Sequence, residues 1–230
     1  MTRFGETLLA ADRRPFAGRL VNPFSFFTLF TAGRTLRKMT VYQICNILCE
    51  GKSLNDLNQL WMKANLRWTV AQTANWTVGY GTAMFCSGQF VAKRLLPLLG
   101  ARGFTSLGAA CGFVAMLING AVQRGWAFWA ALLVNTPTIN GIGAAAVKSA
   151  ATKHAMNAGL GPGEYAGAFA NLRALVYIVG PLFYSRLYAF CLTRGHPPGA
   201  PYFVCAVVAF ALPELMHRSW SDEDMAPKSA

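Results

Sequence analysis

Long apolar runs, separated by short basic or Gly/Pro-rich breaks, dominate the chain from residue 69 to residue 217. A bilayer-crossing helix needs roughly 20 mostly apolar residues. The pattern predicts spans over 69–92, 103–122, 126–147, 168–192 and 201–217. Lys93 and Arg94 close the first span, Arg102 precedes the second, and Arg124 and Gly125 separate the second from the third. A polar, Gly-rich link over 152–164 precedes the fourth, and the prolines of "RGHPPGAP" force a turn before the fifth. A sixth candidate, 38–62 ("KMTVYQICNILCEGKSLNDLNQLWM"), begins apolar and turns polar near Gly51. It reads as a helix interrupted at membrane depth or as one lying in the interface. Residues 24–38 read as a membrane-surface segment with a basic end. The organisation expected is a basic linker and surface segment over 1–37, an all-α, polytopic bundle of six transmembrane helices over 38–218, and a disordered polar tail over 219–230.

Composition supports a chain built for lipid. Of 230 residues, 54% are hydrophobic and 13% are charged, about half the charged share of a soluble domain. The net charge of +12 does not make this a nucleic-acid binder, because the basic residues form no aromatic-interleaved patch. They sit in short clusters between apolar runs, as in membrane proteins. With six spans and the N-terminus in the cytoplasm, Arg3, Arg13, Arg14, Arg19, Arg34, Arg37, Lys38, Lys93, Arg94, Arg102, Lys148, Lys153, Arg218 and Lys228 fall inside. Lys52, Lys63, Arg67, Arg124 and Arg194 fall outside. That bias predicts a multi-pass protein with both termini cytoplasmic. The first residues, Arg-rich and without an apolar signal core, also resemble an organelle transit peptide.

Candidate chemistry is sparse. The six cysteines form no CxxC and there are three histidines, so neither a metal site nor a cofactor is expected, and the cysteines read as small packing residues. No nucleophile–base pair points to an enzyme. Asn75-Trp76-Thr77 matches a glycosylation sequon but lies inside a span. Polar residues within the spans are more informative. Gln43 and Asn46 share one helix face, as do Gln72 and Asn75, while Asn135 and Asn140 flank "TPTI", where Pro137 is expected to kink the helix. Each pair either bonds helix to helix or lines a cavity. Arg173, Tyr177, Pro181, Tyr184 and Tyr188 recur at three- and four-residue intervals on one face. That stripe faces a substrate cavity or forms an aromatic packing seam. Arg186 lies off it. Gly79, Gly81, Gly108, Gly112, Gly141, Gly143 and Gly180 are read as points of close helix approach.

Three segments carry a family resemblance. "GPGEYAGAFANLRALVYIVGPLFYSRLYAF", 161–190, resembles the loop and eleventh helix of tetracycline-exporter-like members of the major facilitator superfamily, with Glu164, Gly167, Gly180 and Pro181 in the matching places. "GQFVAKRLLPLLGARG", 88–103, resembles the loop joining the eighth and ninth helices, with Gly88, Gly100 and Arg102, although it lacks the acid often found there. "GETLLAADRRPFAGRLVNPFSFFTLF" resembles the end of the central linker. The resemblance implies the C-terminal six-helix half of a twelve-helix secondary carrier of a small organic solute. Its partners would be the bilayer and a second six-helix half, supplied by a longer chain, a second copy or a separate protein. The spans 69–92, 103–122, 126–147 and 168–192 hold no carboxylate, Glu50 lies near the outer end of the 38–62 segment and Glu214 near the inner end of the last span, so any proton coupling would reside in the other half. The alternative is a non-transporting structural subunit of a larger membrane complex.

Overall fold

The computed structural model describes residues 22–49, 52–121, 124–137, 139, 141–195 and 197–225. Helix makes up 86% of the structure and no strand forms among the described residues, so the fold is all-α. A short hook, Ser25–Phe27 and Thr28–Thr31, leads into helices α1 (Arg34–Cys49) and α2 (Lys52–Ala64). Next come α3 (Val70–Cys86), continued by a π-helical turn over Ser87–Val91, and α4 (Ala92–Ala121). Helices α5 (Gly125–Asn135), α6 (Ile142–Asn157), α7 (Pro162–Arg194) and α8 (Ala200–Arg218) complete the bundle.

Local chemistry sets several of these boundaries. Thr69 and Gln72 form a capping box at the start of α3, with the Gln72 N–H donating to Thr69 Oγ1 at 3.3 Å and the Thr69 N–H to Gln72 Oε1 at 2.8 Å. Helix α7 opens with Pro162 and Glu164, holds Arg194 in its last turn, and ends at Gly195 with φ of 66°. Gly100 breaks the long run from Val70 to Ala121 with φ of 66° and ψ of 173°. Trp76 and Asn119, 43 residues apart, line one cavity. A straight rod would hold them about 65 Å apart, so the chain reverses at Gly100.

Three helices are long and apolar enough to cross a membrane: Val70–Ala121, which Gly100 folds back on itself, Pro162–Arg194 and Ala200–Arg218. The segment expected as one span over 126–147 is two helices, α5 and α6, parted at Thr136 and Pro137. In the 38–62 segment, helix covers the described residues up to Cys49 and again from Lys52, while Glu50 and Gly51 lie outside the described residues. Helix α7 shows what surrounds the bundle. Its buried residues Tyr165, Phe169, Leu172, Val176, Gly180, Tyr184, Tyr188 and Cys191 form one stripe. Its outward residues Leu175, Ile178, Val179, Leu182, Phe183 and Phe190 are also apolar and exposed. A helix apolar on its exposed face as well as its buried one belongs in lipid.

Helix α4 packs on α5, α6 and α8, α1 packs on α6, α7 and α8, and α2 packs on α7. Two apolar cores result. One joins Leu36, Met39 and Tyr42 of α1 to Val147 and Ala151 of α6, Phe169 and Leu172 of α7, and Trp220. The other joins Leu57 and Trp61 of α2 to Phe128, Tyr184, Tyr188 and Tyr202. Trp220 is 3% exposed, and Asp222–Met225 form a final helical turn against α6. The polar tail expected from residue 219 therefore begins with an anchored segment, because Trp220 carries an aromatic ring that the first core takes in. Leu29 belongs to that same core, so both ends of the described chain meet at one end of the bundle.

Candidate functional site

A cavity of about 600 Å³ is bounded by α1, α2, α3, α4, α5, α6 and α8. Its polar wall holds Tyr42, Asn46, Asn58, Gln59, Thr77, Tyr80, Thr105, Asn119 and Asn135. Its apolar wall is strongly aromatic, with Trp76, Phe104, Phe128 and Phe210. Among the described residues, no charged side chain lines it. Two polar atoms of lining residues are buried and have no partner among the described residues: Trp76 Nε1, a donor, and Asn119 Oδ1, an acceptor. A buried polar atom without a partner costs about 1–3 kcal/mol.

The wall is held by ordinary helix physics. Asn46 Nδ2 donates to the Tyr42 carbonyl at 3.0 Å, which turns its oxygen away from its own helix. Thr105 Oγ1 donates to the Ala101 carbonyl at 2.8 Å and lies 3.4 Å from the Gly143 carbonyl, tying α4 to α6. A side chain at Gly143 would meet the Thr105 backbone at 3.0 Å, so the small residue permits that contact. Gly79 does the same between α3 and α5, where a Cβ would lie 2.5 Å from the Trp129 ring. Gly141 acts differently: with φ of 70° it starts α6 in a left-handed conformation and faces open space. Nothing lies within 4 Å of a Cβ at Gly81 either, so close approach explains neither residue.

The polar residues singled out in the sequence divide into groups. Asn46 and Asn135 line the cavity. Gln43 lies behind it, 4% exposed, with Nε2 directed to the Met39 carbonyl at 3.3 Å and to Tyr165 Oη at 3.4 Å. Gln72 caps α3 and is exposed, as is Asn75, and neither lines the cavity. Asn140 lies outside the described residues. Of the stripe on α7, Arg173 is exposed and Tyr177 and Pro181 are half-buried, while Tyr184 and Tyr188 belong to the second core, where Trp61 packs edge-on to Tyr188 at 6.4 Å and Asn65 Nδ2 donates to Tyr188 Oη at 3.1 Å. Arg173 Nε donates to Tyr177 Oη at 2.7 Å, with its guanidinium 5.0 Å from that ring. Arg186 is exposed, and so are Glu164 and Gly167. Gly180 is buried, while Gly88 and Pro181 are half-buried.

Sequence reading missed Trp76, Thr77, Thr105 and Asn119. Asn119 had a signal: it is a lone amide inside the otherwise apolar run 103–122. Asn58 and Gln59 had another, in the polar half of the 38–62 segment.

Below the cavity, at the end that carries both described termini, a polar cluster fastens α8. Arg102 donates to the carbonyls of Trp220 at 2.9 Å and Arg218 at 3.4 Å. His217 is fully buried, with Nδ1 3.5 Å from Ser106 Oγ and 3.7 Å from Glu214 Oε2, and Trp220 stands edge-on to its ring at 5.4 Å. Glu214 Oε1 accepts from Arg218 Nε at 2.8 Å.

These features define an all-helical membrane protein whose bundle contains a partly open cavity with polar and aromatic walls. Comparison with protein-family models, with curated proteins and with solved structures finds no match for the chain.

Proposed function

We propose that this chain is a six-span unit of a secondary carrier, similar to the C-terminal half of a major facilitator protein, and that its cavity takes up a small organic solute. The observation that carries the reading is a 600 Å³ space within membrane helices whose lining includes Asn46, Thr77, Thr105, Asn119 and Asn135 and, among the described residues, no charged side chain. Polar groups inside a membrane bundle are costly, and those facing a cavity mark solute pathways. The break between α5 and α6 fits the same picture, since irregular backbone at membrane depth is tolerated where it borders a cavity.

In the carrier reading, the cavity side rocks against a second six-helix unit, and both termini face the cytoplasm. The clustering of Arg34, Arg37, Arg102, Lys153 and Arg218 supports that orientation. The test is flux. Proteoliposomes holding the chain, alone and with candidate partner halves, are assayed with a panel of labelled neutral and charged solutes. The reading predicts saturable flux that Asn119→Leu abolishes. Correctly folded protein that neither binds nor moves any solute would favour the alternative, a non-transporting membrane subunit.

A further inference from the structure

A second, smaller crevice of about 200 Å³ lies beside the main cavity, between α1, α6 and α7. Tyr42, Asn46 and Ala144 line both spaces, so the two share a wall. The main cavity carries no charged side chain among the described residues, whereas the crevice carries two cations, Lys148 and Arg173. Both cations lack a carboxylate partner among the described residues. Lys148 Nζ rests 5.4 Å from the Phe169 ring centre, and none of its three donors enters a hydrogen bond with a described residue. Arg173 uses Nε on Tyr177, which fixes the guanidinium plane and leaves its terminal N–H groups unassigned. Gln43 also lines the crevice, with its orientation set by the Met39 carbonyl, which only accepts, and its Oε1 has no partner.

Lys148 and Arg173 are both exposed, and with no acid in its lining among the described residues they make the crevice positive. Both line one space of 200 Å³, so a single anionic group placed there meets both. An ammonium and a guanidinium lining one crevice suit a carboxylate or phosphate group. We infer that the crevice binds the anionic head, carboxylate or phosphate, of an organic ligand whose uncharged remainder faces Tyr42 and Asn46. This deepens the carrier reading by naming a substrate class, and rests on it only for the ligand's passage into the main cavity. Binding at the crevice stands or falls separately from flux.

The same head-group chemistry occurs in soluble organic anions and in anionic lipids, so the experiment has two arms. In the first, the full chain in neutral detergent is titrated with benzoate, with inorganic phosphate and with benzamide at constant ionic strength, following thermal unfolding. In the second, it is placed in phosphatidylcholine nanodiscs with and without phosphatidylglycerol. The inference predicts stabilisation by benzoate or phosphate but not by benzamide, or stabilisation by phosphatidylglycerol. The first result assigns the site to a soluble anion and the second to a lipid phosphate. In Lys148→Gln/Arg173→Gln the apparent affinity falls roughly tenfold or more, as for loss of charge-assisted bonds. Ala145→Glu, at an exposed wall position, supplies a competing carboxylate and also removes the effect. The inference is overturned if neither anion nor phosphatidylglycerol stabilises the protein, or if the stabilisation survives unchanged in Ala145→Glu or in the double variant.

Discussion

Thr35 Oγ1 donates to Asp224 Oδ1 at 3.3 Å, joining two residues 189 positions apart. The same carboxylate accepts from the Ser221 N–H at 2.9 Å, and the Asp224 carbonyl accepts from His154 Nε2 at 2.9 Å. One residue thus links the start of α1, the end of α6 and the last described turn. Burial alone would raise the Asp224 carboxyl, but hydrogen bonds from Ser221 and Thr35 and the nearby His154 hold it below its ordinary value. A carboxyl depressed in the folded state contributes stability that is present above its unfolded pKa and lost as pH falls through the folded one. Acidification below the ordinary carboxylate range, or Asp224→Asn at neutral pH, should release the segment 219–225. Hydrogen exchange over these residues measures it, and faster exchange confined to this segment is the expected outcome.

Gly112 permits α4 and α8 to touch: a side chain there would collide with the Phe210 ring. Gly112→Val should destabilise the bundle by about 1–3 kcal/mol through overpacking. Adding Phe210→Ala should recover part of that loss. Thermal unfolding of the single and double variants checks both.

Arg102 holds the end of α8 through the Arg218 and Trp220 carbonyls. Arg102→Gln should cost about 1.5–3 kcal/mol, the range for bonds to a charged group. Limited proteolysis near residue 220 should speed up, and Arg102→Lys should restore only part of the protection because one ammonium lacks the guanidinium fork.

Asn119 is 9% exposed and its Oδ1 has no partner among the described residues. Asn119→Leu should raise thermal stability, by about 1 kcal/mol, by removing that unpaired oxygen. The same change should abolish solute binding. Gain of stability with loss of binding separates a cavity amide from a structural one.

Much of the fold was legible because spans and breaks are written in composition. The run 168–192 lies within one helix, and the Gly-rich turn at Gly100 reverses the chain where the pattern placed a loop. The continuity of helix through Lys93 and Pro97 was not legible, since basic residues mark the end of an apolar run without ending a helix. Trp220 misled because its polar neighbours hide one large apolar ring. At the site, Asn46 and Asn135 were found from polarity within spans, whereas Gln72 and Asn75 carried the same signal and face outward. Polarity locates a residue in a span, but only packing decides which way the face turns. Thr105 and Trp76 gave no warning, because a threonine bonded to its own helix and a tryptophan in an apolar run look ordinary in sequence.

The proposed carrier needs the cavity to be an aqueous solute path inside a membrane-embedded bundle. The most direct measurement is labelling of single cysteines in sealed membrane vesicles by a membrane-impermeant maleimide, with the native cysteines replaced. The account predicts that Asn119→Cys and Asn135→Cys react, while Val78→Cys and Leu133→Cys, on exposed apolar positions, stay unlabelled in the bilayer. Unreactive cavity positions, or equal reaction at Val78 and Leu133, would contradict it.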